Sequence, residues 1–359
     1  MKNSPPDMPP APLPYLPSYE KLEDDEAQTA QELAETMLHI SQTVAQDEGR
    51  ALRSVHAKAH GILRGTLQVL PLPPTLAQGL FAQAATYPVV LRFSTTPGDM
   101  LEDAISTPRG VAIKVLQVQG ERLDPEDGLQ EQDFLMVNAP VFGVPNAKKF
   151  LSGLKVVAAT TDRAPRAKKL LSMALRGVEA VIEKAGSESR LLKTMGGHPA
   201  THPLSETYFS QVPQLHGLYM AKYSLVPVAP QLIGLKEVRL ELADQPDALR
   251  EAVTSFCAYQ EGVWELRAQL CVDIQRMPIE DASVLWSEEL SPYVPIARLT
   301  MPAQTAWDAT QAPSADEKLS FSPWRGLAAH RPIGSIMRVR RMAYATSSAF
   351  RQRFNEIKG

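Results

Sequence analysis

The chain has 359 residues, with 44% hydrophobic and 21% charged side chains, ordinary usage for a folded protein with a large buried core. Its 37 basic residues against 40 acidic ones leave a net charge of -3, so there is no basic field to draw nucleic acid or an anionic membrane. No apolar run approaches the roughly 20 residues of a membrane span, and two cysteines, Cys257 and Cys271, are too few for a disulfide framework or a thiolate metal site and suit a reducing, cytoplasmic setting.

Residues 1–20 contain seven prolines and no apolar core of signal-peptide type, which predicts an extended arm ahead of a single domain over 21–359. From Glu20 to Glu48, Leu33, Met37, Ile40 and Val44 recur at three- and four-residue spacing, the stripe of an amphipathic helix. Between Val55 and Val118 the runs GTLQVL, YPVVLRFS and GVAIKVLQV predict strands of one antiparallel sheet. In the second run Val89, Leu91 and Phe93 alternate with Val90, Arg92 and Ser94, so one face is apolar and the other carries a cation and a hydroxyl. Residues 146–186, rich in Lys, Ala and Leu, predict two or three helices broken near Pro165. LYMAKYSLVPV, EVRLELA, WELRAQLCVDI and IARLTM read as strands, with a helix over PDALREAVTSFCAYQ and another over the segment from Ser335 onward. Strands, helices, strands and a last helix make an α+β chain.

None of the seven histidines makes a compact metal-ligand spacing such as HExxH, and glycine-rich nucleotide loops and a GxSxG elbow are absent. The segment RSVHAKAHG, taken alone, reads as a basic stretch with two structural histidines. On the last helix, at about 100° per residue, Arg340 and Arg351 fall within about 40° of Tyr344. Alone, that is equally a tyrosine packed beneath arginines.

Five pieces in order change this reading: RSVHAK at Arg53–Lys58, RFS at Arg92–Ser94, PRGVAIK at Pro108–Lys114, VNAPVF at Val137–Phe142 and RRMAY at Arg340–Tyr344. The sequence resembles the heme catalase family, well over residues 50 to 150 and more loosely through Trp264–Met301 and the LSFSPW stretch. The resemblance implies a closed antiparallel β-barrel of about eight strands, with inserted helices and a C-terminal heme-binding helix. It implies heme b as cofactor, with Tyr344 on the iron and Arg340 beside the phenolic oxygen, since a phenol must ionise to ligate iron and a guanidinium favours the anion. It places His56 as the distal base, oriented by Ser94, and Arg53, Arg92 and Arg351 on the propionates, with Arg92 directed into the barrel. Phe150 would pack on the porphyrin. Val55 agrees with the catalase type, where the related allene oxide synthase carries threonine.

The sequence departs from the family at the distal asparagine. The family position three residues before the proline is Val137, and Asn138 stands one residue later. Asn138 either takes over the asparagine's work, which is the expectation, or faces away. Gly143 replaces a pocket phenylalanine and is expected to widen the cavity. The function implied is heme-dependent breakdown of hydrogen peroxide or organic hydroperoxides by a catalase or peroxidase, with an electron donor left unnamed. The alternatives are a fatty-acid hydroperoxide isomerase or dehydratase and a non-enzymatic heme-binding barrel. No nucleic-acid partner and no membrane span are expected, and a homo-oligomer is compatible with the resemblance.

Overall fold

The computed structural model describes residues 10–96, 98, 100–104, 107–161 and 200–356. Among the described residues nine strands form one antiparallel sheet: β1 Lys58–Val69, β2 Thr86–Thr95, β3 Arg109–Leu116, β4 Glu131–Val137, β5 Tyr208–Phe209, β6 Gln214–His216, β7 Tyr219–Pro227, β8 Gly262–Leu270 and β9 Val294–Met301. Eight of them close into a barrel in the order β1-β2-β3-β4-β5-β7-β8-β9, with β9 returning to β1 from Thr66↔Thr300 to Val69↔Ala297. Strand β6 pairs with β7 outside this ring. Among the described residues the α-helices are α1 Glu26–Glu48, α2 Ala147–Thr161, α3 Pro230–Gly234, α4 Ala248–Cys257, α5 Ala312–Lys318 and α6 Ser335–Phe354. None is long and apolar enough to cross a membrane.

Alternation along the strands sorts side chains into lumen and outer wall. Leu63 and Leu67 of β1, Leu91 and Phe93 of β2, Ile113 of β3, Phe134 and Met136 of β4, Tyr223 of β7, Leu266 of β8 and Leu299 of β9 belong to one buried cluster that fills the barrel. The complementary face, with Arg92, Ser94 and Gly110, is therefore the outer wall. This corrects the expectation that Arg92 points into the barrel: the apolar row takes the lumen, and the polar row faces the helices.

One end of the lumen holds polar side chains whose tautomers follow from their partners. His216 Nε2 lies 2.8 Å from the carbonyl of Leu76, which only accepts, so Nε2 carries the proton and Nδ1 accepts from the Tyr223 hydroxyl at 2.8 Å. His330 Nε2 accepts from the backbone N–H of Leu80 at 2.9 Å. Phe81 stacks on His216, and Phe81 and Phe134 both pack edge-on or tilted against Tyr223 and His330.

Outside the barrel, Leu33, Ala34 and Met37 of α1, Ala147 and Leu151 of α2, and Val339 and Ala343 of α6 share a second core. The described part of the arm lies along the barrel, with the Leu13 N–H donating to the Cys271 carbonyl and Pro14 bridging Tyr219. Helix α1 starts six residues later than the stripe predicted, after a turn at Asp24–Asp25. EVRLELA is not a strand: Leu235–Glu237 is a 3-10 turn and the chain beyond it joins no ladder among the described residues, leaving Val238 43% exposed. Strand β4, whose residues QDFLMV escaped the sequence reading, pairs with β3 along its whole length. Of the helices expected over 146–186, α2 occupies the first part, and residues 162–186 lie outside the described residues.

Candidate functional site

The site lies between the outer wall of β2, β3 and β4 and the helical layer. His56 sits at the turn entering β1 with a φ of 56°, the left-handed region that a histidine adopts at a cost. Arg92 holds that turn, its Nη1 donating to the carbonyl of His56 at 2.9 Å and its Nη2 to that of Ala57 at 3.1 Å. The imidazole lies over Gly110, where a Cβ would come within 2.5 Å of Cε1 and 2.7 Å of Nδ1, so the glycine makes room for the ring. Ser94 Oγ lies 3.2 Å from Nδ1 and Thr96 Oγ1 3.4 Å from Nε2. Burial, with the cations of Arg92, Arg340 and Arg53 nearby, lowers the His56 pKa to about 3, so the ring is neutral at physiological pH.

Ser94 pairs with Gly110, and Gly110 with Val137, so the three form one cross-strand row on the wall that the ring covers. Asn138 follows where β4 ends. Its Oδ1 accepts from the backbone N–H of Arg109 at 2.9 Å, and its Nδ2 donates to Glu206 Oε2 at 2.6 Å.

Below the row, Asp316 of α5 gathers cations. Arg92 Nε and Nη2 reach its two carboxylate oxygens at 2.6 and 3.0 Å, and Arg53 Nη1 reaches Oδ2 at 2.9 Å. Burial alone would raise this carboxyl, but Arg92 and Arg53 outweigh it and hold it well below the usual carboxylate range. Arg53 Nη2 also donates to the carbonyls of Asp316 and Leu319, and Arg351 Nη2 to that of Leu319 at 3.1 Å. Arg351 Nη1 is buried with no partner. Arg53, Arg351 and Asp316 line a cavity of about 240 Å³, into which Arg250 also projects, stacked 4.5 Å over the Trp307 ring. Arg250 is matched by Asp247 at 3.1 Å and Arg50 by Glu317 at 3.2 Å, whereas Arg53 and Arg92 share Asp316 and Arg351 beside them reaches the Leu319 carbonyl, so three guanidiniums stand against one carboxylate, an excess of two positive charges among the described residues. Burial, and then the neighbouring arginines, push the Arg53 guanidinium well below its ordinary pKa.

Helix α6 carries Tyr344, and Arg340 Nη2, one turn earlier, donates to its hydroxyl at 2.6 Å. Three contacts fix this helix. Glu280 Oε2 accepts from the N-terminal N–H of Ser335 at 2.8 Å, a carboxylate where the helix dipole is positive. Arg338 is clamped by Glu20, Glu26 and Glu280 at 2.6 to 2.8 Å. Trp324 of the LSFSPW stretch donates its indole N–H to the Met337 carbonyl at 2.8 Å. Val55 and Phe150 pack against the core shared by α1, α2 and α6, and Phe150 meets Phe142 edge-on at 5.3 Å.

The structure thus joins His56 to Ser94, Arg92 to Arg53, and Tyr344 to Arg340, and brings Arg351 to the carbonyl that Arg53 also uses. Asn138 is engaged instead by Arg109 and Glu206. Sequence reasoning missed Asp316, Thr96 and the glycine at 110. Three arginines converging from distant segments call for a buried acid, but nothing in the sequence says which of 40 acidic residues it is.

No family model and no curated protein matches this sequence. Solved structures do match. Catalase A from Saccharomyces cerevisiae aligns over 87% of this chain at 17% identity with a TM-score of 0.59, a fungal catalase over 99% at 16% and 0.59, and a bacterial catalase over 86% at 16% and 0.59. This chain has the catalase fold. It spans 64% of the yeast enzyme, 68% of the fungal one and 58% of the bacterial one.

Proposed function

We propose that this chain binds heme b and uses it to break down hydroperoxides, hydrogen peroxide or organic ones, as a catalase, a peroxidase or both. The observation that carries the reading is the buried arginine cluster, with Arg351 Nη1 unpartnered and two positive charges in excess. Buried cations left unmatched are costly, and a ligand with two carboxylates, such as the propionates of heme, neutralises them. Arg53, Arg92 and Arg351 would hold those carboxylates, and Tyr344 Oη would be the iron ligand. The charge-assisted hydrogen bond from Arg340 is one that a phenolate accepts more strongly than a phenol.

Heme, when bound, supplies an iron that takes up the oxidising equivalents of the peroxide. The protein's part is proton handling. His56, neutral because burial and three arginines disfavour its cation, takes the proton from one peroxide oxygen and returns it to the other, which departs as water or alcohol. Ser94 and Gly110 hold the ring flat against the wall during that exchange. In catalase mode a second peroxide is the reductant; in peroxidase mode an organic donor is.

The visible spectrum of protein produced with hemin tests the reading. The expected result is a phenolate-ligated high-spin ferric band, with oxygen evolution or donor oxidation on adding peroxide. Epoxide formation from a lipid hydroperoxide without any donor would replace the reading with an isomerase, and heme binding without either reaction would replace it with a carrier.

A further inference from the structure

We propose that Arg92 is the residue that positions His56, acting through the backbone of the turn that carries it; this rests on the reading of His56 as the proton-handling base above. The arginine cavity is walled by Arg53, Arg351 and Asp316, and Arg92, only 2% exposed, lies behind that carboxylate. A guanidinium has five N–H groups. Four are engaged here: Nε and one N–H of Nη2 on the two oxygens of Asp316, the other N–H of Nη2 on the Ala57 carbonyl and one of Nη1 on the His56 carbonyl. Arg351, by contrast, has a buried Nη1 without a partner among the described residues. A carboxylate entering the cavity therefore meets Arg351 and Arg53 directly, and Arg92 lends its charge from behind Asp316 while its N–H groups hold the turn.

In extended chain, successive carbonyls point to opposite sides. Those of His56 and Ala57 instead converge on one guanidinium, which goes with the break at His56, whose φ is 56°. A histidine stays in that left-handed region only where its surroundings over-determine it. The other end of the turn is anchored separately, with Ser54 Oγ 2.7 Å from Ser41 Oγ of α1 and 2.5 Å from Ser347 Oγ of α6. Between these anchors the φ of His56 fixes the direction in which its side chain leaves the backbone, and that direction lays the ring over Gly110 with Nδ1 3.2 Å from Ser94 Oγ. Ser94 orients the ring once it is there; Arg92 brings it there. A lysine at position 92 keeps the charge beside Asp316, but a single ammonium lacks the planar fork that reaches two carboxylate oxygens and two carbonyls together.

Arg92→Lys tests this with two readouts, one of which needs no heme. In hemin-free protein, nuclear magnetic resonance recognises a left-handed residue by its short distance between amide and α protons. The intraresidue cross-peak of His56 should be several-fold stronger than those of extended residues such as Leu63, and should fall to their level in Arg92→Lys. In hemin-loaded protein, the stopped-flow rate of reaction with peroxide per bound heme should drop at least ~10²-fold, the scale of a misplaced acid or base. It should also gain an acid limb between about pH 5 and 7. Burial, with the cations of Arg92, Arg340 and Arg53, holds the seated ring near a pKa of about 3, and a ring off its seat moves back toward 6.5 and is lost as a base when pH falls. An unchanged cross-peak overturns the proposal, and so does reduced hemin retention with a wild-type rate and pH profile per bound heme, which would leave Arg92 serving the carboxylates alone. Wild-type protein gives a measurement that no folding failure of the variant can spoil: the Nη1 protons of Arg92 should exchange with water at least about 10-fold more slowly than those of the half-exposed Arg50, and equal rates overturn the proposal. Protein that takes up no hemin removes the heme reading, and the cross-peak then decides by itself whether Arg92 holds the turn.

Discussion

Arg92 closes the fork of Asp316 with Nε and Nη2, while Nη1 holds the carbonyl of His56 and Nη2 that of Ala57, so a single side chain ties the charge cluster to the strained turn of the histidine. Asp316 is the carboxylate that Arg53 and Arg92 both grip, and Asp316→Asn would leave those two guanidiniums, with Arg351 beside them, without it. Removing one partner of a buried ion pair costs about 3–5 kcal/mol, so the variant should unfold at clearly lower urea than the wild type. The loss should shrink when hemin is present, because its carboxylates take over the neutralisation; an equal loss with and without hemin would mean that nothing anionic binds there. At the other pole, Tyr344→Phe removes the hydroxyl that Arg340 contacts while keeping the ring. Its expected phenotype is reduced heme retention and loss of the phenolate band, read from the visible spectrum at equal protein concentration.

At the level of elements, the wall behind His56 depends on a residue without a side chain. Gly110→Ala keeps the β3 ladder but puts a methyl where Cε1 and Nδ1 now lie, and the ring, the movable partner, must swing away from Ser94. The variant should keep a thermal midpoint within a few degrees of wild type and lose at least ~10²-fold in peroxide turnover, the scale of a misplaced acid or base. Full turnover would show that the ring's seat on β3 does not matter. Much of this was legible in the sequence, since RFS and PRG sit on strands that alternate cleanly, and alternation separates Ser94 and Arg92 from Leu91 and Phe93. It could not say which face looks into the barrel, because both are covered, one by the lumen core and the other by helices. EVRLELA shows a second limit: it alternates like a strand, yet a strand exists only where another offers a ladder, and among the described residues none does. Asn138 and Val137 show a third, for a one-residue slip at a strand end decides which of two adjacent side chains shares a face with Gly110.

Across the whole molecule, the N-terminal arm and α6 are fastened together by Glu20, which accepts from Arg331 at 2.8 Å and Arg338 at 2.7 Å, so the first and last parts of the chain brace the site jointly. Histidines give the fold its acid limit. His60, His202, His216 and His330 are at most 3% exposed, and burial lowers all of them from 6.5, His202 and His216 to about 4, His330 to about 3 and His60 well below its ordinary value. Between those values and 6.5 the unfolded chain takes up protons that the folded one refuses. Stability is therefore whole above pH 6.5 and falls as pH drops through that window, by up to about 1.4 kcal/mol per pH unit for each histidine. Urea midpoints at pH 7.5 and pH 5 should differ accordingly; a flat profile would show these rings to be protonated in the native state.

The Tyr223 hydroxyl, closed inside the barrel between His216 and His330, has a consequence on the scale of time. Its proton donates to a nitrogen that is itself sealed from water, so it can trade places with deuterium only when the strands part. In heavy water that hydroxyl resonance would fade at the rate at which the barrel opens, a clock for rare whole-molecule excursions read from a protein that remains folded.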